Sequence, residues 1–200
     1  MNEMTGLSEI KTTEIGAKSP ESGSELRSAR EYIKDVCAPK EYFDDNGNKY
    51  REGNELLPNN NYEINGYSYE TDDKGRIVSA EGKLYIAEKT PHNNEKVNQM
   101  DEYKTDYLDT DDKGHLIGHQ FGGSDKLENL VPMNKEINQQ DYNKLECSLA
   151  DAVKSGADVN LKVEPVYGDD SSRPSSFKVT TTIDGEKSVT VFKNEGRTQS

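Results

Sequence analysis

Two hundred residues, 30% hydrophobic and 32% charged, suffice for one lean domain, or for a domain with a polar extension. No apolar run is long enough to form a membrane-spanning helix, and the first residues have neither the basic nor the apolar region of a secretory signal. The formal charge of −13 argues against tight electrostatic grip on a phosphate backbone. Residues 1–60 carry a net −4 and residues 61–200 a net −9, so the acidity lies in the body, where a basic partner protein could read it. The two cysteines, Cys37 and Cys147, read as free thiols or as one disulfide, and no cysteine-rich zinc signature exists.

Residues 1–60 are expected to form a polar leader, partly flexible, with one short helix. Residues 1–22 lack apolar periodicity. From Ser24 to Val36, Leu26, Ala29, Ile33 and Val36 recur at helical spacing behind a Ser24 cap. Residues 38–60 read as loop, with DDNGN and PNNN as breakers. Tyr67 and Tyr69 then alternate with polar residues, Asp73-Lys74-Gly75 marks a turn, and Ile77–Ile86 is strand-like, which predicts a hairpin. Residues 88–111 are a polar connection with room for a short helix.

The block DDKGHLIGHQFGGSDKLENLVPMNKEINQQDYNKLECSLADAVKSG carries the chemistry. His115–Phe121 reads as extended, Gly122–Asp125 as a loop and Leu127–Met133 as a second strand. Lys135–Lys154 reads as a helix ending at Gly156. Asn138, Tyr142, Leu145 and Leu149 fall within about 60° of one another on that helix. Three strands close the chain, the last two turned by Asp184-Gly185.

A base on a strand and an amide on the following helix suit phosphodiester hydrolysis, which needs an activated water and neutralised charge on the phosphate and leaving oxygen. A neutral imidazole suits the first job, since imidazole as a class exchanges its proton near working pH, and His115 supplies one. An Asn138 oxygen can hold Mg²⁺, which keeps most of its waters and needs few protein ligands. His119 suggests zinc in a His-x-x-x-His pair, but in an extended segment it would lie about 13 Å from His115, too far for one ion. His92 sits in a polar loop and attracts no role.

The block resembles the DNA/RNA non-specific endonuclease family, built around a ββα-metal finger. The family's Asp-Arg-Gly-His tetrad corresponds to Asp112-Lys113-Gly114-His115, and its Asn-Leu-x-Pro segment to Asn129-Leu130-Val131-Pro132. Its metal-binding helix Asn matches Asn138, and Leu145-Glu146 matches the pair whose Glu anchors a metal water. The likeness covers residues 112–150 and extends loosely over 62–193, where it is similar to the C-terminal nuclease domains of bacterial polymorphic toxins, including those exported by type VII secretion systems.

The resemblance implies an α+β nuclease domain over residues 61–200, with a central antiparallel sheet and the ββα-metal finger as active site. It implies His115 as base, Glu146 and Asp112 as catalytic supports, Asn138 as ligand to Mg²⁺ (or Mn²⁺), and 5′-phosphate products from DNA or RNA. Lys113 replaces the family's Arg and cannot make its bidentate phosphate contact. Lys113, Arg76 and Asn129 are candidate substrate contacts; as ordinary residues Arg76 would be a solvated turn arginine and Asn129 a structural asparagine. The resemblance further implies a cognate immunity protein, and a secreted effector acting in a target bacterium's cytoplasm, with the export signal elsewhere in a longer protein. The rival from another class is a non-catalytic protein-binding module on a nuclease scaffold, which the acidic charge and Lys113 favour and the His115–Asn138 pair opposes.

Overall fold

The computed structural model describes residues 39–88 and 106–196. These belong to a compact unit that begins at Pro39. The helix expected over Ser24–Val36, the leader over 1–22, Cys37, His92 and most of the 88–111 connection lie outside the described residues.

Residues 39–60 are not the loop expected from their breakers. They form three short antiparallel strands, β1 (Glu41–Phe43), β2 (Lys49–Glu52) and β3 (Glu55–Leu56), paired in that order. The Asn and Gly residues mark the turns between them, with Gly47 and Gly53 at positive φ. Tyr50 and Leu56 from this layer are buried in the common core.

The main layer is a six-stranded antiparallel sheet. Its order is β11 (Glu186–Lys193), β10 (Ser176–Ile183), β9 (Val159–Val166), β6 (Ile77–Lys83), β5 (Tyr67–Thr71), β4 (Asn61–Ile64). The period-two pattern explains the pairing faces: Tyr67, Tyr69 and Thr71 of β5 point inward, as do Val159, Leu161, Val163 and Pro165 of β9. Asn65-Gly66 and Asp184-Gly185, each with both residues at positive φ, close the β4–β5 and β10–β11 hairpins.

A separate two-stranded ribbon pairs β7 (Asp111–His115) with β8 (Leu130–Asn134), with Asp111 opposite Asn134 and His115 opposite Leu130. A helical turn with π geometry follows over Ile137–Tyr142 and leads into helix α1 (Asn143–Lys154). Leu149 and Ala150 of α1 are buried, and the helix packs towards β9. The ribbon is tethered from the far end of the chain. Arg173 grips Asp111 with Nε and Nη2 at 2.7 and 2.8 Å, while the buried Asn194 amide donates to the Pro132 and Pro174 carbonyls and accepts the Asn134 N–H. The expected α+β architecture with a central antiparallel sheet is the one observed.

Candidate active site

The site is built on the ribbon, the connection between its strands, and the helix that follows. Gly114 is buried against Met133, where a Cβ would fall 2.5 Å from the Met133 Cβ, so only glycine permits the approach of β7 to β8. The extended segment expected to run to Phe121 ends at His115. Leu116 and Ile117 turn into the core, His119–Phe121 forms a single 3-10 turn, and Gly122 closes it at φ +81°. Leu127–Asn129 is likewise a 3-10 turn, so the second strand starts at Leu130 rather than Leu127.

That bend changes the relation of the two histidines. His115 Nε2 lies 2.9 Å from Asp125 Oδ1, and His119 Nδ1 lies 3.1 Å from the same oxygen. The 13 Å separation expected for an extended chain therefore does not hold, because the 3-10 turn folds His119 back. The rings share a carboxylate, and among the described residues no group of three or more His, Cys, Asp or Glu side chains is arranged to hold a metal ion. An Nε2–H donated to Asp125 would place the lone pair of a neutral His115 ring on Nδ1.

The connection carrying Asp125 is held from several directions by buried tyrosine hydroxyls. Tyr67 donates to the Phe121 carbonyl at 2.6 Å, Tyr62 to Glu128 at 2.9 Å and Tyr142 to Leu116 at 2.7 Å. Tyr50, Tyr62 and Tyr69 stack in series, with ring centroids 4.9 and 5.1 Å apart. Desolvation pushes the hydroxyls of Tyr62, Tyr69 and Tyr142 well above the usual tyrosine range, which keeps them protonated as donors.

Two further predicted residues sit along the helix. Asp112 Oδ2 accepts the Asn138 side-chain amide at 3.1 Å and that of Gln139 at 2.7 Å, which leaves the Asn138 carbonyl oxygen without a hydrogen-bond donor among the described residues. Asn138 and Gln139 both lie in the π turn, a local widening that recurs at functional sites. Two turns on, the Glu146 carboxylate packs against Gly118, where a Cβ would collide with it. Burial alone pushes the Glu146 carboxyl up to about 7, and no described group hydrogen-bonds it.

Asn129 is not exposed for substrate. It is 0% exposed, and its side chain is saturated: Oδ1 accepts the Ile117 N–H and the Tyr69 hydroxyl, and Nδ2 donates to the Ile117 and Ser124 carbonyls. It positions the connection instead. Arg76 is also taken up internally: Nε bonds Asp72 at 2.7 Å, Nη1 reaches the Asp169 and Ser171 carbonyls, and the guanidinium lies 4.2 Å over the Tyr167 ring. Its donors tie the β5–β6 turn to the segment after β9. Lys113, by strand alternation, shares a face of β7 with His115. Cys147 is exposed and joins no disulfide among the described residues, and Cys37 lies outside them.

Asp125 is the residue that sequence reading missed. Its only local signal is a carboxylate inside the glycine loop GGSD, and its pairing with His115 depends on a bend that periodicity does not reveal.

The sequence profile of the DNA/RNA non-specific endonuclease family matches residues 58–185, more than half of the chain. The chain belongs to this family. The endonuclease is 35% identical over 139 residues to the type VII secretion system protein EssD of Staphylococcus aureus strain USA300, a match covering 65% of this chain and 22% of that protein. It is 26% identical over 113 residues to the probable deoxyribonuclease RhsA of Dickeya dadantii strain 3937, covering 56% and 8%. The chain thus spans about a fifth of the length of its staphylococcal relative. Among solved structures, Sda1 nuclease with a bound zinc ion aligns at a TM-score of 0.46 and 15% identity, over 64% of this chain and 76% of the other. Among the described residues no helix is long and apolar enough to cross a membrane.

Proposed function

We propose that this endonuclease is divalent-metal dependent and sequence-nonspecific, cleaving DNA and, by the same chemistry, RNA, with His115 as general base. The observation carrying the proposal is the pairing of His115 Nε2 with Asp125 on a connection pinned by Asn129 and the buried tyrosines. Asp125 fixes the ring and its tautomer, so that Nδ1 takes the proton of the attacking water. Lys113, beside His115 on the strand face, meets the substrate phosphate as a point charge.

The donor set fits a hard cation that keeps most of its waters. The Asn138 carbonyl oxygen is oriented by Asp112 and left without a donor among the described residues, and Glu146 is a half-buried carboxylate with no hydrogen-bond partner among them. Asn138 would hold Mg²⁺ (or Mn²⁺) directly, and Glu146 and Asp112 would hold its waters. When bound there, the cation would supply positive charge to the leaving 3′-oxygen, and departure of that oxygen would leave 5′-phosphate ends.

Similarity to a type VII secretion protein and to an Rhs deoxyribonuclease supports a place as the toxin domain of a secreted antibacterial effector. Such a domain acts in the cytoplasm of a target bacterium and is neutralised in the producer by an immunity protein. The central test is plasmid and RNA degradation with Mg²⁺, against EDTA. His115→Ala should abolish both while leaving the circular dichroism spectrum unchanged; Mg²⁺-dependent cleavage at the wild-type rate by that variant would remove His115 from the mechanism.

A further inference from the structure

Beside the His115–Asp125 pair opens a cleft of about 670 Å³, whose wall includes His119, Gly122 and Asp125. Its other wall comes from the small sheet and the irregular segment after β6. There Phe43 is 56% exposed and Tyr85 45% exposed, although large aromatic side chains are normally withdrawn from water. Tyr85 is braced from behind, its ring stacked on the buried Tyr67 at 5.9 Å and its hydroxyl close to Gly122, which has no side chain to displace it. Phe43 ends β1 and belongs to no part of the core.

The charge of the cleft indicates its occupant. Asp45, Glu88, Asp125 and Glu128 line it, with Lys126 as its single lysine. A phosphate would be repelled there, whereas a nucleobase has no charge, offers a π-face to each ring and presents N–H groups to carboxylates. We propose that this cleft is a nucleobase subsite. It takes a base unstacked from the strand near the scissile phosphate, with Phe43 and Tyr85 as its stacking platform. The proposal rests on the nuclease reading of His115, since the cleft shares the Asp125 wall with that residue. A base held this way must leave its duplex neighbours, so the enzyme should favour single-stranded or locally opened nucleic acid, where unstacking costs least.

The test uses the His115→Ala protein, which should bind without cutting, and a fluorescent single-stranded oligonucleotide scanned with one abasic residue at each position. Anisotropy should show one position at which loss of the base weakens binding about tenfold or more. Phe43→Ala should weaken binding of the intact strand by a similar factor, and should add little once that base is missing. Phe43→Trp should restore binding. A flat abasic scan, fully additive losses, or equal affinity for single strand and duplex would each overturn the subsite. Nucleic acid degraded by the His115→Ala protein during the titration would instead count against the catalytic reading, so the two failures are distinct.

Discussion

Asp112 Oδ2 receives the Asn138 side-chain amide at 3.1 Å, so the strand before the connection orients the first polar residue of the helix after it. An amide has one donor end and one acceptor end, and engaging the nitrogen turns the oxygen away from the carboxylate. On the proposed reading, Asp112 would act on the cation by orienting Asn138 as well as through the cation's waters. Asp112→Ala is expected to raise the Mg²⁺ concentration for half-maximal plasmid cleavage about 10- to 100-fold, with a smaller change in the rate at saturating metal. An unchanged metal requirement would remove Asp112 from this chain of contacts.

Asp125→Asn keeps the size of the side chain and removes its charge. The ring of His115 can then bond through either tautomer, and nothing offsets the positive charge it acquires with the proton. The expected outcome is a fall in kcat of about 10²- to 10⁴-fold with KM little altered. If both side chains serve one proton transfer, as proposed, the double variant His115→Ala/Asp125→Asn should be no slower than His115→Ala alone. Multiplicative losses would show that Asp125 serves some other step.

Glu146 makes stability depend on pH in a defined sense. Its folded-state pKa of about 7 lies above the ordinary value of 4.5, so between these pH values the folded chain binds more protons than the unfolded chain. Stability contributed by the neutral acid is then complete below pH 4.5, declines as pH rises towards 7, and is gone above it, by roughly 3 kcal/mol at most. In metal-free buffer, Glu146→Gln should raise the denaturation midpoint at pH 8 and leave it unchanged near pH 4.5. Added Mg²⁺ should stabilise the wild type more at pH 8 than the Gln variant. A variant less stable than wild type at pH 8 without metal would refute burial as the dominant influence on this carboxyl.

How far the site could be read from the chain follows from what each residue depends on. His115, Asn138 and Glu146 lie in one continuous block, and their order along strand, connection and helix is encoded locally, so the sequence can nominate them as candidates. Asp125 is close by, but its role appears only once the 3-10 turn at His119–Phe121 folds the connection back. Tyr62, Tyr67, Arg173 and Asn194 hold that connection and the ribbon from distant strands and loops, with no local signature. Asn129 was visible as a motif, yet a motif does not distinguish a residue facing substrate from one saturated inside the core. Residues 39–60 were misread because strands of two to four residues are too short to display alternation between their turns.

The four hydrogen bonds of Asn129 make it the most consequential support of the site. Asn129→Ala would leave the Ile117 N–H and carbonyl and the Tyr69 hydroxyl without this partner in the protein interior, and the part-buried Ser124 carbonyl without it as well. Water cannot readily reach them, since Gly123 lies so close over the Ile117 carbonyl that even a Cβ there would overlap it. With about 1–3 kcal/mol for a buried group left unpaired, a loss of roughly 3–5 kcal/mol in stability is expected. Tyr69→Phe removes one donor and leaves Oδ1 still bonded to the Ile117 N–H, so it should cost only about 1 kcal/mol. Chemical denaturation compares the two directly. The folded fraction of Asn129→Ala should also cleave poorly, because Ser124 and hence Asp125 are no longer anchored. Equal losses for the two variants, or an Asn129→Ala protein of wild-type stability, would show that the connection is held without this side chain.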